Sequence, residues 1–174
     1  MPMIVVTPLS RVAECIELHA PSHLVTLLGR EFMIETPEGI SPHRHLKVEV
    51  DDVADASSST CAPCEAHVRS LIAFGREWNP SAPMLVHCWA GISRSMAAAY
   101  AVLCDRMGPG REREIAERMR SLAPHANPNR LLVRLADDLL GRSGRMVDAI
   151  EAIGNGELAI EGRPVRFSLA PEKP

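Results

Sequence analysis

Aromatic residues are scarce in this chain: phenylalanine, tryptophan and tyrosine make up 3% of its 174 residues, which argues against the stacking platforms that bind single-stranded nucleic acid. Positive charge is not in excess either. The net charge is −3, so the basic surface that nucleic acid or anionic lipid selects is missing. No apolar stretch approaches the length of a membrane span, and Met1 to Val6 is too short for the apolar core of a signal peptide. Neither nucleic acid nor a membrane is therefore expected as a partner. Five cysteines without an export signal fit a reducing, cytoplasmic compartment rather than a disulfide framework. The length suits one domain with a proper core.

The stretch around which the rest is organised is Val86-His87-Cys88-Trp89-Ala90-Gly91-Ile92-Ser93-Arg94-Ser95. It follows the apolar run Met84-Leu85-Val86 and precedes the small-residue run Met96 to Leu103, which predicts strand, loop and helix. Such a loop turns its backbone N–H groups and the positive end of the helix toward one point where an anion can sit. Cys88 and Arg94 bracket five residues. A thiolate is a strong nucleophile, and a helix N-terminus beside a cation favours the ionised form. A guanidinium grips two phosphate oxygens at once. Gly91 allows φ > 0 and leaves room for a ligand. Ser95 can donate to the sulfur, and His87 is expected to support the loop from behind.

His87-Cys88-x-x-Gly91-x-x-Arg94-Ser95 resembles the signature of the cysteine-dependent protein tyrosine phosphatase superfamily. Its compact, dual-specificity-like branch, which includes small bacterial tyrosine-phosphatase-like proteins, is the nearest in size and in the position of the loop. Pro21 to Leu28 and the Pro-Asn turn at Pro128-Asn129 extend the resemblance over roughly residues 21 to 140. The resemblance implies a general acid, an aspartate on a mobile loop some thirty-odd residues before the cysteine. Asp52 best matches the strand-to-loop register, Asp55 fits the separation slightly better, and Asp51 is a third candidate. A carboxylic acid is suited to the task because a leaving alkoxide or phenoxide needs a proton.

Further elements follow from pattern. Strands are expected at Met3 to Val6, His23 to Leu28 and Arg44 to Val50, with a weaker one at Phe32-Met33-Ile34. Thr7-Pro8 reads as the cap and first residue of a helix whose core face is Leu9, Val12, Ala13 and Ile16. Helices are expected over 62–78, with Thr60 or Cys61 as cap, and over 111–122, after Asn129 and over 144–153. Cys61-x-x-Cys64 with His67 nearby looks like half of a zinc site, but no second pair follows at usable spacing. Cap and packing are the better reading, with a redox link to Cys88 left open.

The expected fold is α/β: a small, mainly parallel central sheet with helices on both faces, of the protein-tyrosine-phosphatase, dual-specificity type. Residues 1–156 are expected to form the catalytic domain and residues 157–174 a C-terminal tail holding one short strand. The expected activity is a metal-independent phosphomonoesterase, a protein tyrosine or dual-specificity phosphatase, with no cofactor and no metal. Cys88 is the nucleophile, Asp52 the acid, and Ser95 assists the departing thiolate. Residues Trp89, Ala90, Gly91, Ile92, Ser93 and Arg94 hold the phosphate. The partner is a phosphorylated protein or another phosphomonoester, and the sequence leaves the oligomeric state open. Two alternatives keep the loop: a rhodanese-like sulfurtransferase or thiol arsenate reductase, and a non-catalytic phosphopeptide-binding module.

Overall fold

In the computed structural model, which describes residues 2–169, five strands form one sheet in the order β3-β2-β4-β1-β5. They are β1 (Met3–Pro8), β2 (His23–Leu28), β3 (His45–Glu49), β4 (Met84–Cys88) and β5 (Val165–Ser168). The first four run parallel, and β5 joins the edge antiparallel to β1. β4 lies at the centre, and all five of its residues are buried. That explains its apolar sequence, because a central parallel strand is covered on both faces.

Alternation along the strands sends side chains to two cores. Val5, Leu24 and Leu85 meet Val12 and Cys15 of helix α1 (Val12–His19) on one face. On the other, Ile4, Val6, Val25, Leu27, Met84 and Val86 join the main core. Helices α2 (Glu65–Glu77), α3 (Arg94–Met107), α4 (Glu112–Leu122), α5 (Arg130–Leu140) and α6 (Arg145–Ala152) cover that side. α3 is buried from Arg94 through Cys104, and its alanines let neighbours come close. At Gly75 of α2 a Cβ would stand 2.9 Å from Val102 Cγ1, so the helices touch backbone to side chain there. The catalytic-type loop lies just past the carboxyl end of β4, where open α/β sheets place their ligands.

Several local expectations are overturned. Thr7-Pro8 does not start a helix: β1 runs through Pro8, which pairs with Cys88. Pairing with β4 outweighs the local capping preference, and proline is tolerated because β5 pairs no further than Val6 on that side. Thr7 is buried and accepts the Cys15 thiol at 3.4 Å. Ala13 faces solvent, and Cys15 takes the inward position instead. Phe32-Met33-Ile34 is not a strand; Arg30–Phe32 makes one 3-10 turn. The cap of α2 is Cys64 rather than Thr60 or Cys61. The one short strand expected within residues 157–174 is β5, residues 165–168, with Val165 and Phe167 inward and Arg166 outward. Residues 170–174 of that stretch, and Met1, lie outside the described residues. Among the described residues, no helix is long and apolar enough to cross a membrane.

Candidate active site

The loop between β4 and α3 is held by its carbonyls. Leu9 N–H donates to Trp89 O (3.1 Å), Gly162 N–H to Ala90 O (2.8 Å), Asn127 N–H to Ile92 O (2.9 Å) and Asn129 N–H to Ser93 O (3.2 Å). The donors come from three separate segments, at Leu9, at Asn127 and Asn129, and at Gly162, so the carbonyls are drawn outward. Among the described residues, no amide of residues 89 to 93 has a hydrogen-bond partner. A loop with satisfied carbonyls and unused amides is a cradle for an anion. Gly91 makes it feasible: its φ is +69°, and a Cβ there would stand 2.7 Å from the Pro8 nitrogen. Ser93 precedes α3 but makes no side-chain cap. The first amides of α3 are thus left for a ligand.

Cys88 is 2% exposed at the floor of this cradle. Its Sγ lies 3.1 Å from Ser95 Oγ, and toward an ionised sulfur only the hydroxyl can donate. Arg94 is buried; one Nη donates to Val50 O (2.8 Å), which anchors the guanidinium to the end of the β3 segment. Its Nε is buried without a partner. A buried donor without an acceptor costs free energy in the empty site and would be satisfied by an oxyanion.

The three aspartates separate clearly. Asp52 Oδ1 accepts from Ser93 Oγ (2.7 Å) and from Asn129 Nδ2 (2.9 Å). Both bonds fall on one oxygen, which leaves Oδ2 free to carry a proton. Asp55 is occupied locally: the backbone N–H and the hydroxyl of Ser57 both donate to it, and they hold its carboxyl below the usual carboxylate range. Asp51 accepts from Ser59 Oγ. Of the three, Asp52 alone lines the cavity that contains Cys88, together with Trp89, Ala90, Ile92, Ser93 and Arg94.

Behind the loop a chain of neutral hydrogen bonds runs from Thr36 to Cys88. His87 is fully buried, with Nδ1 3.3 Å from Cys88 O and Nε2 2.7 Å from Thr26 Oγ1. A carbonyl only accepts, so Nδ1 carries the proton and Nε2 takes the Thr26 hydroxyl. Thr26 Oγ1 then accepts from His45 Nε2 (2.8 Å), whose Nδ1 takes the Thr36 hydroxyl (2.9 Å). Burial, the largest influence on both rings, lowers their pKa values to about 4.

Every residue of the predicted set is therefore within one constellation: Cys88, Arg94, Ser95 and Asp52, with residues 89 to 93 between them and His87 beneath. Sequence reasoning did not reach Asn129 as a partner of Asp52, Val50 as the anchor of Arg94, or Thr26 and His45 beneath His87. Asn129 carried a signal as the cap of α5, and it does accept from Leu132 N–H (3.0 Å). Its second contact with the acid loop has no signature in sequence. Nor does the crossing of the mouth by residues 157–163, of which Ala159 and Ile160 line the Cys88 cavity. Cys61 and Cys64 are engaged elsewhere: Cys61 donates to Glu49 O (3.3 Å), and Cys64 pairs with His67 in a reciprocal helix cap. All five cysteines are free.

No protein-family model matches the chain, and no curated protein sequence does. Solved structures match. DUSP15 superposes with a TM-score of 0.62 at 19% identity, covering 88% of this chain and 91% of its own. PTPMT1, in complex with PI(5)P, gives 0.59 at 15% identity over 80% of this chain and 94% of its own. The phosphatase domain of Yvh1 from Chaetomium thermophilum gives 0.55 at 21% identity over 82% and 93%. With its five-stranded sheet and helical cover, the chain has the fold of the dual-specificity-like tyrosine phosphatases.

Proposed function

We infer that the protein is a cysteine-dependent phosphomonoesterase acting on phosphotyrosine in proteins. The observation that carries this reading is the meeting, at one cradle of unused amides, of a buried thiol, an arginine with an unpartnered Nε and a carboxylate with a free oxygen. In the first step Cys88 Sγ bonds to phosphorus as the ester P–O bond breaks, and the proton on Asp52 goes to the departing oxygen. Arg94 and the loop amides are preorganised donors aimed at the developing charge, and the equatorial oxygens accept from them. That electrostatic task falls to the chain's own groups, so the reaction calls for no metal. In the second step Asp52 takes a proton from water as the water oxygen bonds to phosphorus. The S–P bond breaks, and the Ser95 hydroxyl stabilises the thiolate that leaves.

The substrate follows from charge and depth. Arg94 is the one cationic side chain lining the Cys88 cavity, among the described residues. A ligand with several phosphates would meet Asp52 without compensation, so a singly phosphorylated group is favoured. The burial of Cys88 favours a long aryl side chain over a short alkyl one.

The test is hydrolysis of phenyl phosphate with EDTA present by wild type, Cys88→Ser, Asp52→Asn and Ser95→Ala. Cys88→Ser should abolish turnover, and Asp52→Asn should lower kcat by about 10²- to 10⁴-fold. Ser95→Ala should show a product burst followed by slow turnover, because only its second step is impaired. A folded wild type that hydrolyses nothing, or whose activity EDTA removes, defeats the reading.

A further inference from the structure

The mouth above Cys88 has two lobes. One, of about 330 Å³, contains the thiol and is bordered by Ala159 and Ile160. The other, of about 230 Å³, is lined by Leu28, Gly29, Phe32 and Asp51. Asp52, Trp89 and Arg94 line both, so the lobes open onto each other.

The rim is apolar, and it is held in place. Phe32 and Trp89 meet edge to face at 5.1 Å between centroids, yet they remain 50% and 53% exposed. Ile160 is 98% exposed although it borders the nucleophile's lobe, and Leu158 beside it is fully exposed. Burying such a side chain stabilises a fold, and these two contribute nothing of that kind here. The strap that carries them is pinned at both ends, by Glu157 N–H on Pro124 O (2.9 Å) and Gly162 N–H on Ala90 O (2.8 Å). Its glycines lie flat on the scaffold: a Cβ would stand 2.5 Å from Ala126 O at Gly156 and 2.6 Å from His125 Nε2 at Gly162. A rigid strap thus keeps an isoleucine in water beside a buried thiol. What enters the site covers it.

We propose that the Phe32–Trp89 pair and Ile160 select phosphotyrosine in a polypeptide segment whose neighbouring side chain is apolar, with that side chain seated in the Phe32 lobe. This rests on the phosphatase reading above. Asp51 and Asp52 on the lobes, and Glu161 next to Ile160 on the strap, disfavour acidic neighbours by like-charge repulsion. The same carboxylates, with Arg94 the one cation on either lobe among the described residues, argue against an anionic lipid surface.

The experiment compares two phosphotyrosyl peptides that differ only in leucine or glutamate flanks, phenyl phosphate, and phosphatidylcholine vesicles carrying a phosphoinositide. The enzymes are wild type, Ile160→Asp, Phe32→Asp and Ile160→Leu, each checked by circular dichroism. Wild type should prefer the leucine-flanked peptide, chiefly through KM. The preference should fall about tenfold in both aspartate variants and survive in Ile160→Leu. No preference in wild type, an unchanged preference in both aspartate variants, or faster turnover of the vesicles than of either peptide overturns the proposal. Phenyl phosphate separates the failures. If wild type hydrolyses it but does not rank the peptides, only the selectivity falls; if wild type hydrolyses nothing, the phosphatase reading falls and this proposal with it.

Discussion

Asn129 Nδ2 lies 2.9 Å from Asp52 Oδ1, across 77 residues of chain, and also donates to Val53 O at 3.0 Å. Its own Oδ1 meanwhile accepts from Leu132 N–H at the start of α5. One amide therefore ties the Asp52–Val53 segment to a helix terminus, and α5 in turn is tied to the loop between β4 and α3 through Asn129 N–H and Ser93 O.

The two halves of that amide can be separated. Asn129→Asp keeps the cap on Leu132 and loses the donor to Asp52; Asn129→Ala loses both. Stability should drop by about 1 kcal/mol in the alanine variant through the lost cap, and in the aspartate variant too, where the cap stays but two carboxylates repel each other. With phenyl phosphate, whose leaving group needs a proton, kcat should fall about 10- to 100-fold in both. With p-nitrophenyl phosphate, whose leaving group does not, the fall should be small. Wild-type kcat on phenyl phosphate in Asn129→Asp would remove Asn129 from the positioning of Asp52.

Acid sensitivity should arise from His87 together with His45, and His87 is the more deeply buried of the two. Burial holds its pKa at about 4, with His45 and Arg94 adding repulsion. Above pH 6.5 the ring is neutral in both folded and unfolded chains, and stability is at its full value. As pH falls from 6.5 toward 4 the unfolded chain takes up a proton that the folded chain refuses, so stability is lost. For a group shifted this far the loss is roughly 3 kcal/mol. Protonating Nε2 would also set two N–H donors against the Thr26 oxygen. Urea denaturation of wild type and His87→Gln across this range checks the point: the wild-type curve should be steeper, and parallel curves would contradict it.

Gly91 and Gly141 offer a paired test of close approach. Both have positive φ, +69° and +62°, but a Cβ at Gly141 meets nothing within 4 Å while one at Gly91 meets the Thr7–Pro8 backbone. Gly141→Ala should cost about 1 kcal/mol, the strain of the left-handed conformation alone. Gly91→Ala should cost about 2 kcal/mol or more and should also remove activity, because Pro8 or the loop must move. Equal thermal shifts for the two would refute the role of Pro8.

What could be read from sequence was whatever contiguous residues specify. The strand–loop–helix run from Met84 through Met107 is encoded by an apolar stretch, a bracketed loop and a run of small residues, and β2 appears at the bounds its apolar pattern predicts. Asn129 announced itself as a cap for the same reason: capping acts over three residues.

Where local pattern misleads, long-range pairing is the cause. At Thr7-Pro8 a good helix start lost to pairing with Cys88, a residue eighty positions away along the chain. The short strand expected within residues 157–174 is Val165–Ser168, and its place beside β1 at the sheet edge is set by tertiary pairing.

By itself, then, the sequence determined the strand–loop–helix run around Cys88, the mainly parallel sheet and a net charge of −3, because spacing, periodicity and charge are properties of neighbours. Only the tertiary structure decided that Asp52, of Asp51, Asp52 and Asp55, lines the Cys88 cavity, that Asn129 and Ser93 hold Asp52, that Val50 anchors Arg94 and that Ala159 and Ile160 border the same cavity. Those contacts join groups brought together by packing of the sheet and helices, and neither propensity nor period records which surface of one element meets another.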